Sequence, residues 1–225
     1  MARPEGFSTP EGYRRGIRHE EEVLGGFVPK AGYREAFDRV KTGPDYVDRK
    51  TAFELVRQFS SDNPTAPKKA FAASMRMDVA SALRLQSPEE FERLRYYTSV
   101  GDTVLDKKHG VDAWIEFEDG GKTIIVTLDA TLRDKEEEGL KRLGGEGPDF
   151  EVPELPDAIQ EKEAFETAVR GFGAAIANRI KSNLPANSAI SVRLQSIPGG
   201  TRKPASRLLP RPKGKVEWDP KKNAS

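Results

Sequence analysis

Residues 111–131 read VDAWIEF-EDGG-KTIIVTLDAT, and this stretch decides the fold. Side chains of an extended chain alternate between two faces. Val111, Ala113, Ile115 and Phe117 therefore share one face of a first strand, and Asp112, Trp114 and Glu116 share the other. In the second strand Ile124, Val126 and Leu128 oppose Ile125, Thr127, Asp129 and Thr131. A two-residue Asp119-Gly120 turn is the favoured hairpin signal and pairs Ile115 with Ile124, Ala113 with Val126 and Val111 with Leu128. A Gly120-Gly121 turn shifts the pairing by two and keeps the same faces matched. A three-residue loop would set the apolar faces out of phase, which burial opposes.

In both allowed registers Asp112 and Asp129 fall on one sheet face. They are diagonal neighbours in the first and directly opposite in the second, with Cα atoms roughly 5–8 Å apart. Carboxylates that close repel unless a proton or cation lies between them. One reading leaves both solvated on an open hairpin face, which Thr127, Thr131 and Glu116 suit. Trp114 and Ile125 are too apolar for a wet face, so the other reading covers it, and an acid pair under cover needs a partner. A divalent metal would be such a partner and would also acidify water for attack on a phosphodiester.

The hairpin lies among helices. Tyr33, Phe37 and Val40 recur at helical spacing within 31–41, and Phe53, Val56 and Phe59 within 45–60. Phe71, Met75, Val79 and Leu83 make an amphipathic helix over 67–85. Ser87-Pro88-Glu89-Glu90 is a capped helix start with proline at the first position, and that helix is expected to run to about Tyr97. Strands are expected at 103–106, 111–117 and 122–131. A long helix follows over 159–182, with Phe165, Val169, Phe172, Ile176 and Ile180 in one stripe, and then a strand at 189–194.

This order, αβββαβ with a mixed sheet, predicts an α/β (α+β) core. With its aspartate opening the second strand and an acid closing the third, it resembles the PD-(D/E)XK nuclease superfamily across about residues 87–196. Gly110-Val111-Asp112 is similar to the first part of that motif and Leu128-Asp129-Ala130-Thr131 to the second, with Thr131 where the family has lysine. The resemblance implies Mg²⁺ or Mn²⁺ held by Asp112 and Asp129, and a lysine beside the attacking water. Lys108 is the replacement candidate, because the Asp119-Gly120 register sets it opposite Thr131 and on the face of Asp112. Lys135 is a second. Some members add an acid from the first helix, for which Glu92 is best placed; the plain alternative is exposed helix surface. The resemblance equally allows a catalytically inactive binding or assembly module. An unrelated structural protein of viral or mobile-element type stays open.

Composition narrows the chemistry. The 225 residues contain no cysteine, which excludes disulfides, thiolate metal sites and a cysteine nucleophile. His19 and His109 are the two histidines, so a metal would need oxygen ligands, favouring Mg²⁺, Mn²⁺ or Ca²⁺. His109 reads as a loop residue. Gly120-Gly121-Lys122-Thr123 lacks the spacing of a phosphate loop and precedes a strand.

Charge is polarised although the net is +1. Residues 199–225 carry eight Lys/Arg against two acids, and residues 134–166 carry twelve acids against four bases. The expected organisation is a flexible arm over 1–30, a helical extension over 31–86, the core over 87–198 with an acidic loop at 133–160, and a disordered basic tail over 199–225. The tail and hairpin face are expected to meet nucleic acid, and the tail, with Trp218, a protein partner. No signal peptide or membrane span is read, so a cytoplasmic location is expected.

Overall fold

The computed structural model describes residues 10–130, 148–152 and 155–185, with residues 188, 190 and 194. The hairpin forms from β2 (Ala113–Asp119) and β3 (Lys122–Asp129). Its register is the Gly120-Gly121 one, with Ile115 opposite Val126 and Ala113 opposite Leu128. A primed two-residue turn needs positive φ at both central positions. Gly120 (φ 57) and Gly121 (φ 81) take it without a Cβ penalty. The alternative would force Asp119 into that conformation. Instead Asp119 ends β2, buried and ion-paired with Arg93.

Strand β1 (Leu94–Thr98) pairs antiparallel with β2, and the two-residue β4 (Phe150–Glu151) lies parallel to β3. The order β1-β2-β3-β4 makes a mixed sheet in an α+β chain. Both faces are covered. On one, α4 (Ala70–Leu83) and α7 (Lys162–Asn183) pack on each other and on the sheet. Met75, Val79 and Leu83 meet Val169, Phe172, Ile176 and Ile180 over Ile115, Phe117, Val126 and Leu128. The helices approach so closely at Gly173 that an added Cβ would stand 2.7 Å from the Asp78 Cβ. On the other face α2 (Tyr33–Val40), α3 (Arg49–Phe59) and α6 (Val104–His109) enclose Trp114. Phe53 meets the indole edge-on, and Tyr97 stacks on it.

Several expected boundaries move. The arm over 1–30 contains a full helix, α1 (Pro10–Val23), and Leu24 behind it is buried in the first core. The helical extension over 31–86 wraps the sheet, with α2 and α3 on one face and α4 on the other. Helix α5 (Pro88–Glu92) starts as expected, with Ser87 Oγ accepting from the Glu90 N–H, but ends at Glu92. Leu94 and the Tyr96-Tyr97 pair instead extend as β1, where aromatic residues fit a half-buried pleat. The strand expected at 103–106 is α6, whose start is capped by Thr103 and whose end by Gly110 at φ 59. Part of the expected acidic loop forms β4. The fourth strand thus precedes α7 rather than following it. Of the strand expected at 189–194, Ile190 and Leu194 have helical backbone and pack on the first core; the rest lies outside the described residues. The tail over 199–225 lies outside them too.

Candidate functional site

One residue before the hairpin's end pair, Ala113 opposite Leu128, stands Asp112, within reach of the Asp129 charge. The chain bends there. The Asp112 N–H donates to Leu128 O at 3.0 Å, while the Asp112 carbonyl accepts from the Ser99 N–H at 2.8 Å. The bend brings Val111 into the Trp114 cluster rather than beside Ala113 as the alternation predicts. It also turns the Asp112 carboxylate onto β3, where Oδ2 accepts from the Ala130 N–H at 2.8 Å. Asp112 is 5 % exposed and Asp129 4 %.

Burial pushes the Asp112 carboxyl up to about 9, and the neighbouring Asp129 charge adds to the rise. The Ala130 N–H pulls the other way, and Glu20 of α1 and Asp106 of α6 push it up further. The Tyr96 phenol beside it donates to Leu24 O at 2.9 Å and is itself raised by burial and by the Asp112 charge. Asp112 therefore sits under cover at one end of the sheet, and its surroundings favour the protonated carboxyl near neutral pH.

The other expected site residues lie elsewhere. Lys108 belongs to α6, not to a strand, and is exposed. Glu92 is exposed at the end of α5, next to the start of β1. Asp112 is level with Ser99, just past the other end of β1, which puts Glu92 on the order of 20 Å away along the strand. The helix-borne acids whose charge reaches Asp112 are Glu20, from the segment read as an arm, and Asp106 of α6. His109, expected in a loop, is instead the last residue of α6, with Nε2 2.9 Å from Val47 O and its ring against Tyr46. Thr131 and Lys135 lie outside the described residues.

Two residues of the acidic segment were not singled out by the sequence. Asp149 accepts from both the N–H and the hydroxyl of Thr127 at 3.0 Å and pairs with Arg179 of α7 at 2.9 Å. It thereby ties β4 to the strand that carries Asp129. Glu151 is the register partner of Asp129 in β4 and is exposed. The run of acids before them gave no local signal that two would pair on a sheet edge.

Among the described residues no three His, Cys, Asp or Glu side chains converge as a metal cage. Two buried carboxylates are nevertheless a fitting donor set for a hard divalent cation that keeps several of its waters, as Mg²⁺ does. In the absence of a cation the same arrangement stores a proton. The chain matches no protein-family model, no curated protein and no solved structure.

Proposed function

We propose that this chain is a Mg²⁺- or Mn²⁺-dependent phosphodiesterase acting on nucleic acid, on a degenerate PD-(D/E)XK-like core within the cell. The observation that supports it is the buried Asp112–Asp129 pair, with the Asp112 carboxyl pushed up to about 9. Asp112 and Asp129 would hold the cation, which when bound polarises a phosphoryl oxygen and lowers the pKa of a water. The chain's own parts prepare that site. The Ala130 N–H fixes one oxygen of Asp112. The Tyr96 phenol and the α1 end exclude water beside it. Without metal, Asp112 keeps its proton near neutral pH and is a weak acid rather than a base.

A second reading is a catalytically inactive relative that binds metal or nucleic acid, with its tail docking on a protein partner. The exposed position of Lys108 on α6, and threonine at 131 where lysine is expected, favour it. Cleavage of labelled DNA and RNA with Mg²⁺ or Mn²⁺ separates the two, with Asp112→Asn and Asp129→Asn as controls. Activity abolished by each substitution supports the first reading. Activity untouched by both sinks it. No cleavage, but a melting temperature raised by millimolar Mg²⁺ only in the unsubstituted protein, selects the second.

A further inference from the structure

The Trp114 face of the sheet carries a second feature, apart from the aspartate pair. Helix α3 stands over β1, β2 and β3 and leaves a cleft of about 640 Å³ beside them. Sites for small ligands span about 300–1,000 Å³, with an apolar floor and a few convergent polar groups. Here Phe53 and Ile125 supply the apolar part. Around them stand four cations, Arg49, Lys50 and Arg57 of α3 and Arg95 of β1, against two acids, Glu54 and Glu116.

The acids are already engaged. Glu116 is buried, accepts from the Arg57 Nε and the Trp114 Nε1, and forms an ion pair with the Arg57 guanidinium. Glu54 takes the remaining edge of Arg57 at 2.8 Å. Arg57 is thus locked as a fixed positive wall, and its guanidinium also lies 5.7 Å from the Phe53 ring centre. Arg49 lies over the same ring at 5.8 Å. Lys50 is exposed, and Arg95 meets a half-exposed Glu118 at 3.5 Å and the Tyr97 phenol. A surface contact of that kind contributes little and exchanges readily for another anion.

We infer that this cleft is an anion-binding site for a phosphate group, with Arg49, Lys50 and Arg95 as its contacting cations and Arg57 as their fixed support. Guanidinium forks match the oxygens of a phosphate group, and cations outnumber acids in the cleft lining. The phosphate can belong to a free nucleotide or to a polynucleotide chain, and the inference does not depend on cleavage at the aspartate pair.

The test is equilibrium binding in EDTA, so that no metal bridges a probe to Asp112 or Asp129. One arm follows the anisotropy of a fluorescein-labelled single strand of about twelve nucleotides; the other titrates adenosine monophosphate by calorimetry. The expected result is binding in at least one arm, weakened about tenfold or more by joint Arg49→Ala and Lys50→Ala and less by Arg95→Ala. Asp112→Asn should leave it unchanged. Binding by the strand alone, with a steep salt dependence, assigns the polymer; tight binding of the nucleotide assigns the free ligand. Three results would each overturn the inference: neither probe binds, the doubly substituted protein (its melting transition intact) binds as well as the parent, or polyglutamate competes as strongly as the better phosphate probe.

Discussion

Glu116 and Asp112 lie four residues apart in the chain, both buried, in one stretch of the hairpin. Glu116 has an arginine and an indole N–H as neighbours. Asp119, further along, has Arg93, which also donates to the Glu118 carbonyl and lies over the Phe117 ring. Asp112 faces Asp129. The first two are acids answered by cations from neighbouring elements, so they anchor α3 and the hairpin end. The third is an acid beside an acid, with Glu20 and Asp106 adding to the negative field. A buried acid matched by arginine is architecture. A buried acid matched by another acid is where a proton or a metal ion is wanted.

The largest effect is expected from breaking an answered acid. Glu116→Ala leaves Arg57 and the Trp114 N–H without their partner and should lower stability by about 3 kcal/mol in urea unfolding. Next comes Asp112. The Asp112 carboxyl is raised from 3.8 to about 9, so the folded state binds more protons than the unfolded one between those values. The sign follows: the contribution is complete below about pH 4 and disappears as pH rises through about 9. Metal-free protein should lose on the order of 4 kcal/mol between about pH 5 and about pH 8 from this group. Asp112→Asn, which can still accept from the Ala130 N–H, should flatten that slope in chelator and raise the melting temperature at pH 8. Asn at position 112 with an unchanged pH slope would remove the contrast between the two ends.

Arg93→Ala is a smaller perturbation, because Arg93 is partly exposed. It leaves Asp119 buried with neither oxygen engaged among the described residues, and should cost about 2 kcal/mol, read as a shift of the urea midpoint. The smallest effect belongs to Lys108. On the exposed side of α6, Lys108→Ala should change stability by less than about 0.5 kcal/mol and leave any cleavage rate intact. A large loss of activity in that variant would return the lysine to the site.

The alternating pattern made the hairpin legible, because a period of two fixes side-chain parity along the paired strands, whereas at Asp112 the bend sets the side chain's direction. It did not choose between the two turns, since both match the same apolar faces. Positive φ at both central positions falls on Gly120 and Gly121, which take it with no Cβ, and leaves Asp119 free to end β2 beside Arg93. The Ser87 cap and the α7 stripe were likewise local signals. The end of α5 was not, because Phe91 and Leu94 suit either a helix stripe or a strand entering the sheet. Thr103 and Gly110 bracketed α6 in the sequence, but its six residues are too few to show a helical period.

The site's long-range members were hidden for a different reason. Glu92 looked well placed because it is close in sequence to β1, whereas Glu20 reaches Asp112 only through the packing of α1. Arg57 and Glu116 are separated by 59 positions, and nothing local in either strand or helix announces their pairing.

The most direct measurement is a carboxyl ¹³C NMR titration of Asp112 in metal-free protein, repeated with saturating Mg²⁺. The expected midpoint lies near pH 9 in chelator and falls below neutrality with Mg²⁺, while Asp129→Asn lowers it without metal. An Asp112 that titrates near pH 4 in all three samples would contradict the account.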